Sequence, residues 1–178
     1  MIGHMPMPLL VDCYNVLHVD MPQAWAGLDE AGLCRLLARG GWPNGSAVVV
    51  CDGAVKPGGP ARSPVESVEL VYAGRGQSAD DLIIHMIDAD SAPRRLTIVS
   101  SDRQIQKAAR RRRCRVVASE VFVRMLATAC GQQKRGHADG ASAVGGDKAG
   151  PLNERQVQQW LKWLGVDAQE DRDTREHF

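Results

Sequence analysis

The sequence predicts a three-layer α/β/α domain with a mainly parallel central sheet, followed by a C-terminal helix. Short apolar runs of strand length alternate with segments whose apolar residues recur at helical spacing, as in successive β-α units. The run Ala47-Val48-Val49-Val50-Cys51 is apolar throughout, which is typical of a strand buried on both faces of a parallel sheet. With 178 residues and a hydrophobic content of 44%, the chain is long enough for one domain and a tail.

The first predicted strand covers residues 9–12, an apolar run that ends in an aspartate. A helix is predicted over 28–39 because its apolar residues fall on one face, and Gly40-Gly41 is expected to end it. The second strand, 46–52, leads into a loop rich in glycine and proline. The apolar residues expected on one face of the helix over 28–39 are Leu28, Ala31, Leu33, Leu36 and Leu37.

The next elements repeat the alternation of strand and helix. A third strand is predicted over 67–73, and Ser78 is a suitable N-cap for a helix over 79–90. A fourth strand over 96–100 is followed by a helix over 103–113. The inward-facing residues expected for these two helices are Leu82, Ile83, Met86, Ile87, Ile105, Ala108 and Ala109.

The last part of the chain changes character. A short fifth strand over 115–118 and a helix over 119–130 complete the predicted domain, and the Gly-rich composition of 131–150 predicts a flexible linker. An amphipathic helix is predicted over 151–166, before a charged, disordered tail over 167–178. The apolar stripe of the predicted helix over 151–166 consists of Val157, Trp160, Leu161 and Leu164. Such a stripe has to dock on the domain, on a second copy in a homodimer, or on another partner.

The overall composition excludes several classes of protein. The 22 basic and 21 acidic residues nearly cancel, so net charge identifies no partner. The five cysteines are scattered and form no CxxC pair, which predicts neither zinc nor disulfides and favours a reducing, cytoplasmic location. We expect no signal peptide and no membrane partner, since no apolar run approaches the ~18 residues of a membrane span.

Four aspartates occupy positions that a parallel sheet would bring together. Asp12, Asp52 and Asp102 each close an apolar run, and Asp80, with Asp81 beside it, opens a helix. The carboxyl ends of parallel strands meet at one edge of the sheet, where α/β folds bind their ligands. Two carboxylates ~4 Å apart repel by about 4 kcal/mol at an effective dielectric constant near 20. A cluster of them therefore predicts a bound cation, and a divalent metal ion is the simplest one.

Each of these side chains also has an ordinary structural interpretation. Asp12 and Asn15 can make side-chain hydrogen bonds within a turn, and Asp102 can cap a helix. The aspartates at positions 80 and 81 would be stabilised by the dipole at a helix start. The site is favoured because four separate caps or turns would otherwise coincide at one edge.

A dinucleotide-binding fingerprint competes with the metal site. Gly74-x-Gly76-x-x-Ala79 follows a predicted strand and opens a helix, as this fingerprint requires. Against it, Asp80 and Asp81 would stand where the pyrophosphate has to lie, and their charge would repel it.

Four short segments together resemble the motifs of the NYN domain, a branch of the PIN-like metal-dependent ribonucleases. They are Asp12-x-x-Asn15, Asp52-Gly53, Ala79-Asp80-Asp81 and Ser101-Asp102-Arg103. The similarity is greatest to the bacterial YacP-like group and covers roughly residues 8–130. The resemblance implies a PIN-like nuclease domain in this range, acting as a metal-dependent endoribonuclease on RNA.

Mg²⁺ or Mn²⁺ is the cofactor that the resemblance implies, and oxygen ligands suit these hard cations. One or two ions would be ligated by Asp12, Asp80 and Asp102, with Asp52 in direct or water-mediated support. Asn15 would position the first carboxylate or the scissile phosphate. The implied catalytic residues are Asp12, Asn15, Asp80 and Asp102, and the implied metal ligands are Asp12, Asp52, Asp80, Asp81 and Asp102.

RNA is the predicted partner. A run of arginines that includes Arg110 and Arg111 is either a grip on backbone phosphates or a solvated helix end. The predicted nucleic-acid-binding residues are Arg75, Ser101, Arg103, Arg110 and Arg111. Some members of the family act on translated messages, so the ribosome is a partner to test. The alternative function is a PIN-like module that binds RNA or the ribosome without cutting.

Overall fold

The computed structural model describes residues 8–40 and 46–136, with side chains up to residue 131. The strands in these ranges are β1 (Leu9–Asp12), β2 (Ala47–Cys51), β3 (Val68–Tyr72), β4 (Thr97–Val99) and β5 (Arg115–Val117). The α-helices are α1 (Cys13–Leu17), α2 (Glu30–Gly40), α3 (Ala79–Ala89), α4 (Arg103–Arg111) and α5 (Ser119–Gly136). Two single 3₁₀ turns, Gln23–Trp25 and Pro93–Arg95, precede α2 and β4.

The five strands form one parallel sheet in the order β3-β2-β1-β4-β5. Helices α1, α2 and α5 pack on one face of it, and α3 and α4 pack on the other. This arrangement confirms the predicted three-layer architecture and parallel sheet. Strands β1 and β4 are neighbours, yet the helices that follow them lie on opposite faces. A crevice therefore opens between their carboxyl ends, as at the switch point of other doubly wound sheets.

The central strand shows why the sheet is apolar on both sides. Leu9 and Val11 contact the core under α2 and α5, whereas Leu10 contacts the core under α3 and α4. All three are at most 2% exposed. Alternate residues of a strand point to opposite faces, so a strand covered on both faces needs a continuous apolar run. The cysteines buried as small apolar side chains in these cores are Cys13, Cys34, Cys51 and Cys114.

Two differences from the predicted elements affect the site. Helix α1 was not predicted; its five residues follow β1 directly and are capped by Asp12, which accepts a hydrogen bond from the Asn15 backbone N–H. Helix α2 starts two residues later than predicted and ends at Gly40. A Cβ on this glycine would lie 2.8 Å from Leu126 Cδ2, so a glycine there allows the close approach of α2 to α5.

The end of the last described helix also differs from the prediction. Helix α5 continues through Gly136, so residues 131–136 are helical and do not belong to the predicted linker over 131–150. The rest of that segment, the predicted helix over 151–166 and the predicted tail over 167–178 lie outside the described residues. No helix in the described part of the chain is long and apolar enough to cross a membrane.

Candidate active site

A cavity of about 380 Å³ opens at the carboxyl edge of the sheet, in the crevice between β1 and β4. Four of the predicted acidic residues line it, and they come from four different parts of the chain. The lining residues are Asp12, Tyr14, Asn15, His18, Asp52, Ser78, Ala79, Asp80 and Asp102.

Asp12 is the most buried acid of the cavity, with 6% of its surface exposed. Its Oδ2 accepts a hydrogen bond from Ser100 Oγ at 2.9 Å, and its Oδ1 accepts one from the Asn15 N–H at 3.3 Å. Burial raises the pKa of Asp12; the hydrogen bonds from Ser100 and Asn15 oppose this rise, and the charges of Asp80 and Asp102 add to it. The net pKa lies above the ordinary value, so the charged form is disfavoured in the absence of a cation.

Asp80, in the first turn of α3, makes no side-chain hydrogen bond to a described residue. Burial raises its pKa, and repulsion from Asp102, Asp52 and Asp81 raises it further. The helix dipole favours an acid at this position, but the neighbouring charges do not. The carboxylates are therefore close enough to repel one another.

Asp52 and Asp102 each use one carboxylate oxygen to hold the local structure. Asp52 Oδ1 accepts a hydrogen bond from the Ala79 N–H at 3.0 Å, which ties the end of β2 to the start of α3. Asp102 Oδ1 caps α4 by accepting from the N–H groups of Gln104 and Ile105 at 2.7 and 3.0 Å. Asp102 thus caps α4, as its structural interpretation predicts, and it also lines the cavity.

Asp81 is not brought to the cavity. Its side chain is exposed, and Ser78 Oγ both donates to Asp81 Oδ2 at 2.8 Å and accepts from the Asp81 N–H at 3.1 Å. Successive residues of an α-helix point about 100° apart, so Asp80 and Asp81 cannot both face the cavity. The expectation that Asp81 is a metal ligand is therefore not supported by its position.

Asn15, in α1, connects the segments that follow β1, β4 and β5 at the carboxyl edge. Its Oδ1 accepts hydrogen bonds from the Ser101 N–H at 2.9 Å and from Ser119 Oγ at 2.8 Å. These contacts orient the amide so that Nδ2, which bonds to no described residue, remains as a donor. The predicted RNA-binding residue Ser101 is itself engaged, because its Oγ donates to Glu120 Oε2 at 2.6 Å.

The predicted basic residues divide between two ends of the molecule. Arg75 and Arg103 are exposed at the carboxyl edge but do not line the cavity. Arg110 and Arg111 lie at the far end of α4, where Arg110 bonds to Gln106 and Arg111 pairs with Asp88 at 3.4 Å. The structure therefore does not bring Arg110 and Arg111 to the cavity.

Tyr14 and His18 form one wall of the cavity and are not among the predicted site residues. The Tyr14 and His18 rings are stacked with centroids 6.0 Å apart. Tyr14 Oη donates to Glu30 Oε1 at 2.6 Å, and Lys56 Nζ lies 3.0 Å from the same oxygen and 4.7 Å from the Tyr14 ring centroid. The i,i+4 spacing of Tyr14 and His18 could have predicted that the two rings lie side by side. That spacing is informative only once α1 is recognised as a helix.

Ser100, the partner of Asp12, was also missed as a functional residue. The register Val11↔Val99 between β1 and β4 places the residues that follow, Asp12 and Ser100, side by side. Local patterns do not reveal which strands are neighbours. The contact between Ser100 and Asp12 can therefore be predicted only when the order of the strands is known.

The donor set fits a hard divalent cation. The cavity offers carboxylate oxygens that repel one another, and the two ion pairs found among the described residues, Lys56–Glu30 and Arg111–Asp88, involve none of its acids. Within the described ranges, no three acidic, histidine or cysteine side chains are grouped tightly enough to form a complete set of metal ligands. Mg²⁺ does not need such a set, because it keeps several waters and binds through one or two carboxylates plus substrate phosphate.

The geometry disfavours the dinucleotide interpretation. Gly74 and Gly76 do adopt positive φ values of 87° and 89°, but their loop follows β3, the edge strand of the sheet. The Ala79 N–H at the start of α3 already donates to Asp52. Carboxylates therefore occupy the helix start that a pyrophosphate would need.

Comparison with known proteins relates the chain to one family. A family model described as the YacP-like NYN domain matches residues 9–165. The crystal structure of Rae1 (YacP) from Bacillus subtilis has a TM-score of 0.59 at 20% identity, covering 72% of this chain and 78% of that chain. A tryptophan-to-leucine variant of the same protein has a TM-score of 0.55 at 18% identity, covering 74% and 80%. No curated protein matches the chain significantly.

Proposed function

Because the chain belongs to the YacP-like NYN domain family, we propose that it is a metal-dependent endoribonuclease that hydrolyses RNA phosphodiester bonds at the cavity. The family and the fold support a nuclease-like function on RNA. The observation that carries the finer proposal is the repulsion among the cavity aspartates, which adds to burial in raising the pKa of Asp12 and of Asp80. Such an arrangement weakens the fold unless a cation joins it, so it points to a function for the acids.

Mg²⁺ or Mn²⁺ is the proposed cofactor, and Asp12, Asp80 and Asp102 would hold it through one or two direct carboxylate bonds and otherwise through bound water. When bound, the ion supplies Lewis acidity that lowers the pKa of water and neutralises charge on phosphate oxygens. Ser100 fixes one oxygen of Asp12 through its hydroxyl, and Asp52 holds the start of α3 so that Asp80 faces the cavity. These hydrogen bonds orient the ligands before substrate arrives.

Asn15 is proposed to position the substrate. Its Oδ1 is held by Ser101 and Ser119, which leaves the Nδ2 donor for an oxygen of the scissile phosphate. RNA is the proposed substrate, and the cytoplasm is the proposed location. The ribosome is a further partner to test.

The test is cleavage of RNA by the purified full chain in Mn²⁺, with Asp12→Asn and Asp80→Asn as variants. Loss of an outer partner of a metal ligand commonly costs 10–100-fold in activity, so loss of a ligand is expected to reduce the cleavage rate by at least about 100-fold. Asp20→Asn is the matched control, because Asp20 is exposed and outside the cavity lining.

The outcomes separate the proposal from its alternative. Full activity in both the Asp12 and the Asp80 variant would show that the assignment is wrong. Metal-dependent binding of RNA by the unmodified chain without any product would favour the non-catalytic binding module. Thermal melts of all variants establish that a loss of rate is not a loss of folded protein.

A further inference from the structure

Seven arginines gather at the edge of the sheet opposite the cavity. They come from the turn before β4, from the end of α4 and from the start of β5. We call this surface the arginine edge, and its members are Arg94, Arg95, Arg110, Arg111, Arg112, Arg113 and Arg115.

Contacts within the fold hold these segments together. The Arg115 N–H donates to the Leu96 carbonyl at 3.0 Å, which joins the start of β5 to the turn before β4. Arg112 Nη2 donates to the Asp90 carbonyl at 2.7 Å, and Arg111 pairs with the Asp88 carboxylate. The arginine edge is therefore one surface, and Asp88 and Asp90 are acids near it among the described residues.

One position on this surface has an arginine where glycine is favoured. Arg113 has a φ of 61°, and it is the one described residue other than glycine with positive φ. The Cys114 N–H bonds to the Ala109 carbonyl and the Arg113 N–H to the Arg110 carbonyl, which is the helix ending that normally takes glycine. A left-handed conformation is costly for a side chain with a Cβ. An arginine therefore occupies position 113, where the local backbone conformation alone would favour glycine.

We propose that the arginine edge binds the phosphate backbone of RNA outside the segment that is cut, and so anchors the substrate. The proposal rests on the proposed function for the choice of RNA. The basic residues of this edge are all arginine, whose planar guanidinium can bind phosphate through two hydrogen bonds. Helix α4, with nine residues, separates the edge from the cavity by roughly 13 Å.

A membrane surface fits the arginine edge less well than RNA does. Stable anchoring at a membrane interface combines basic residues with apolar side chains or a lipid chain. Among the described residues, the large exposed hydrophobic side chains are Val55 and Val121, in the β2–β3 loop and in α5. Neither belongs to the arginine edge, which therefore offers charge without an apolar anchor.

The experiment measures RNA binding as a function of salt, using the full chain with Asp80→Asn so that the RNA stays intact. The test variant combines Arg94→Gln, Arg110→Gln and Arg113→Asn, and asparagine tolerates the left-handed conformation at position 113. The matched control combines Arg35→Gln, Arg39→Gln and Arg62→Gln, three exposed arginines outside the edge. The probes are a long hairpin RNA and a short single-stranded oligonucleotide.

For the hairpin, each lost phosphate contact should reduce the slope of log K against log salt by 0.7–0.9, so the triple variant should lose about 2 to 3 units of slope. The control variant should keep the original slope. Arg94→Gln alone, in an exposed turn, should lose about 1 unit and replaces the triple variant if that variant unfolds. Without the Asp80 change, the triple variant should raise KM for the long RNA and leave kcat for the short oligonucleotide unchanged.

Equal loss of binding in the test and control variants would overturn the proposal, since it would reflect net charge alone. Binding to anionic vesicles or to an acidic peptide that depends on these arginines, with RNA binding unaffected, would overturn it in favour of another partner. If the unmodified chain cuts no RNA, the proposed function fails, whereas the salt dependence of binding still decides whether the arginine edge contacts RNA.

Discussion

The two ends of the central sheet carry opposite charges, and they differ in how those charges are satisfied. At the carboxyl edge, Asp80 makes no side-chain hydrogen bond to a described residue and is repelled by the other aspartates of the cavity. At the arginine edge, Arg111 pairs with Asp88, and Arg112 donates to two carbonyl groups at the end of α3. The Asp80 carboxylate at the carboxyl edge is therefore available to bind a ligand. At the arginine edge, Arg111 and Arg112 also support the fold.

This contrast separates two reasons for a charged residue to be where it is. A side chain that completes a helix end stabilises the folded state by itself, as Arg112 does at the end of α3. A carboxylate such as Asp80, which makes no side-chain hydrogen bond to a described residue and lies near other carboxylates, destabilises the folded state unless a cation is present. Substitution of Arg112 at one edge and of Asp80 at the other should therefore change stability in opposite directions.

The largest effect on stability is expected at the arginine edge. Arg112→Ala removes hydrogen bonds from a charged donor to the carbonyls of Ile87 and Asp90, and should lower the free energy of unfolding by about 2 kcal/mol in urea denaturation. Arg110→Gln is the control, because among the described residues its exposed side chain bonds to Gln106 alone, and it should cost less than about 0.5 kcal/mol. Equal losses would mean that the contacts of Arg112 do not support α3.

The second effect belongs to the carboxyl edge and depends on the metal. At ten times its dissociation constant, Mn²⁺ should stabilise the chain by about 1.4 kcal/mol, because a ligand that binds only the folded state shifts the equilibrium towards it. Asp12→Asn should remove most of this gain, and Asp20→Asn should keep it. Thermal melts with Mn²⁺ and with EDTA measure the difference. Undiminished stabilisation of the Asp12 variant would place the ion elsewhere.

The positions of Asp12, Asp52 and Asp102 could be predicted because each follows a run of apolar residues that is typical of a buried strand. A parallel sheet then places such strand ends at one edge. Asp80 could be predicted from the helix start at Ser78. These predictions need only local pattern and the general geometry of parallel sheets.

The missed features depend on information that is not local. Ser100 contacts Asp12 because β4 lies beside β1, which is a property of the strand order. Helix α1 has only five residues, too few for an apolar period to be recognised. The arginine run was predicted to be either a grip on backbone phosphates or a solvated helix end, and its distance from the cavity follows from α4 running back across the sheet.

The smallest expected effect tests the repulsion at the carboxyl edge directly. Asp80 has a folded-state pKa above its ordinary value of 3.8, so its charge destabilises the fold at pH values above that raised pKa. Asp80→Asn should therefore stabilise the chain at pH 7 without divalent metal. The partial solvent exposure of Asp80 screens the repulsion, which limits the gain to below about 1 kcal/mol, or at most about 2–4 °C in Tm for a chain of this size.

The pH dependence supplies the sign of this last effect. The gain from Asp80→Asn should shrink as pH falls through the raised pKa and should vanish below 3.8, where the native carboxyl group is protonated in both folded and unfolded chains. Mn²⁺ should reverse the order at pH 7, because the unmodified chain then gains a ligand interaction that the asparagine variant lacks. A variant that is less stable at pH 7 without metal would show that Asp80 supports the fold, and the contrast between the two edges would no longer hold.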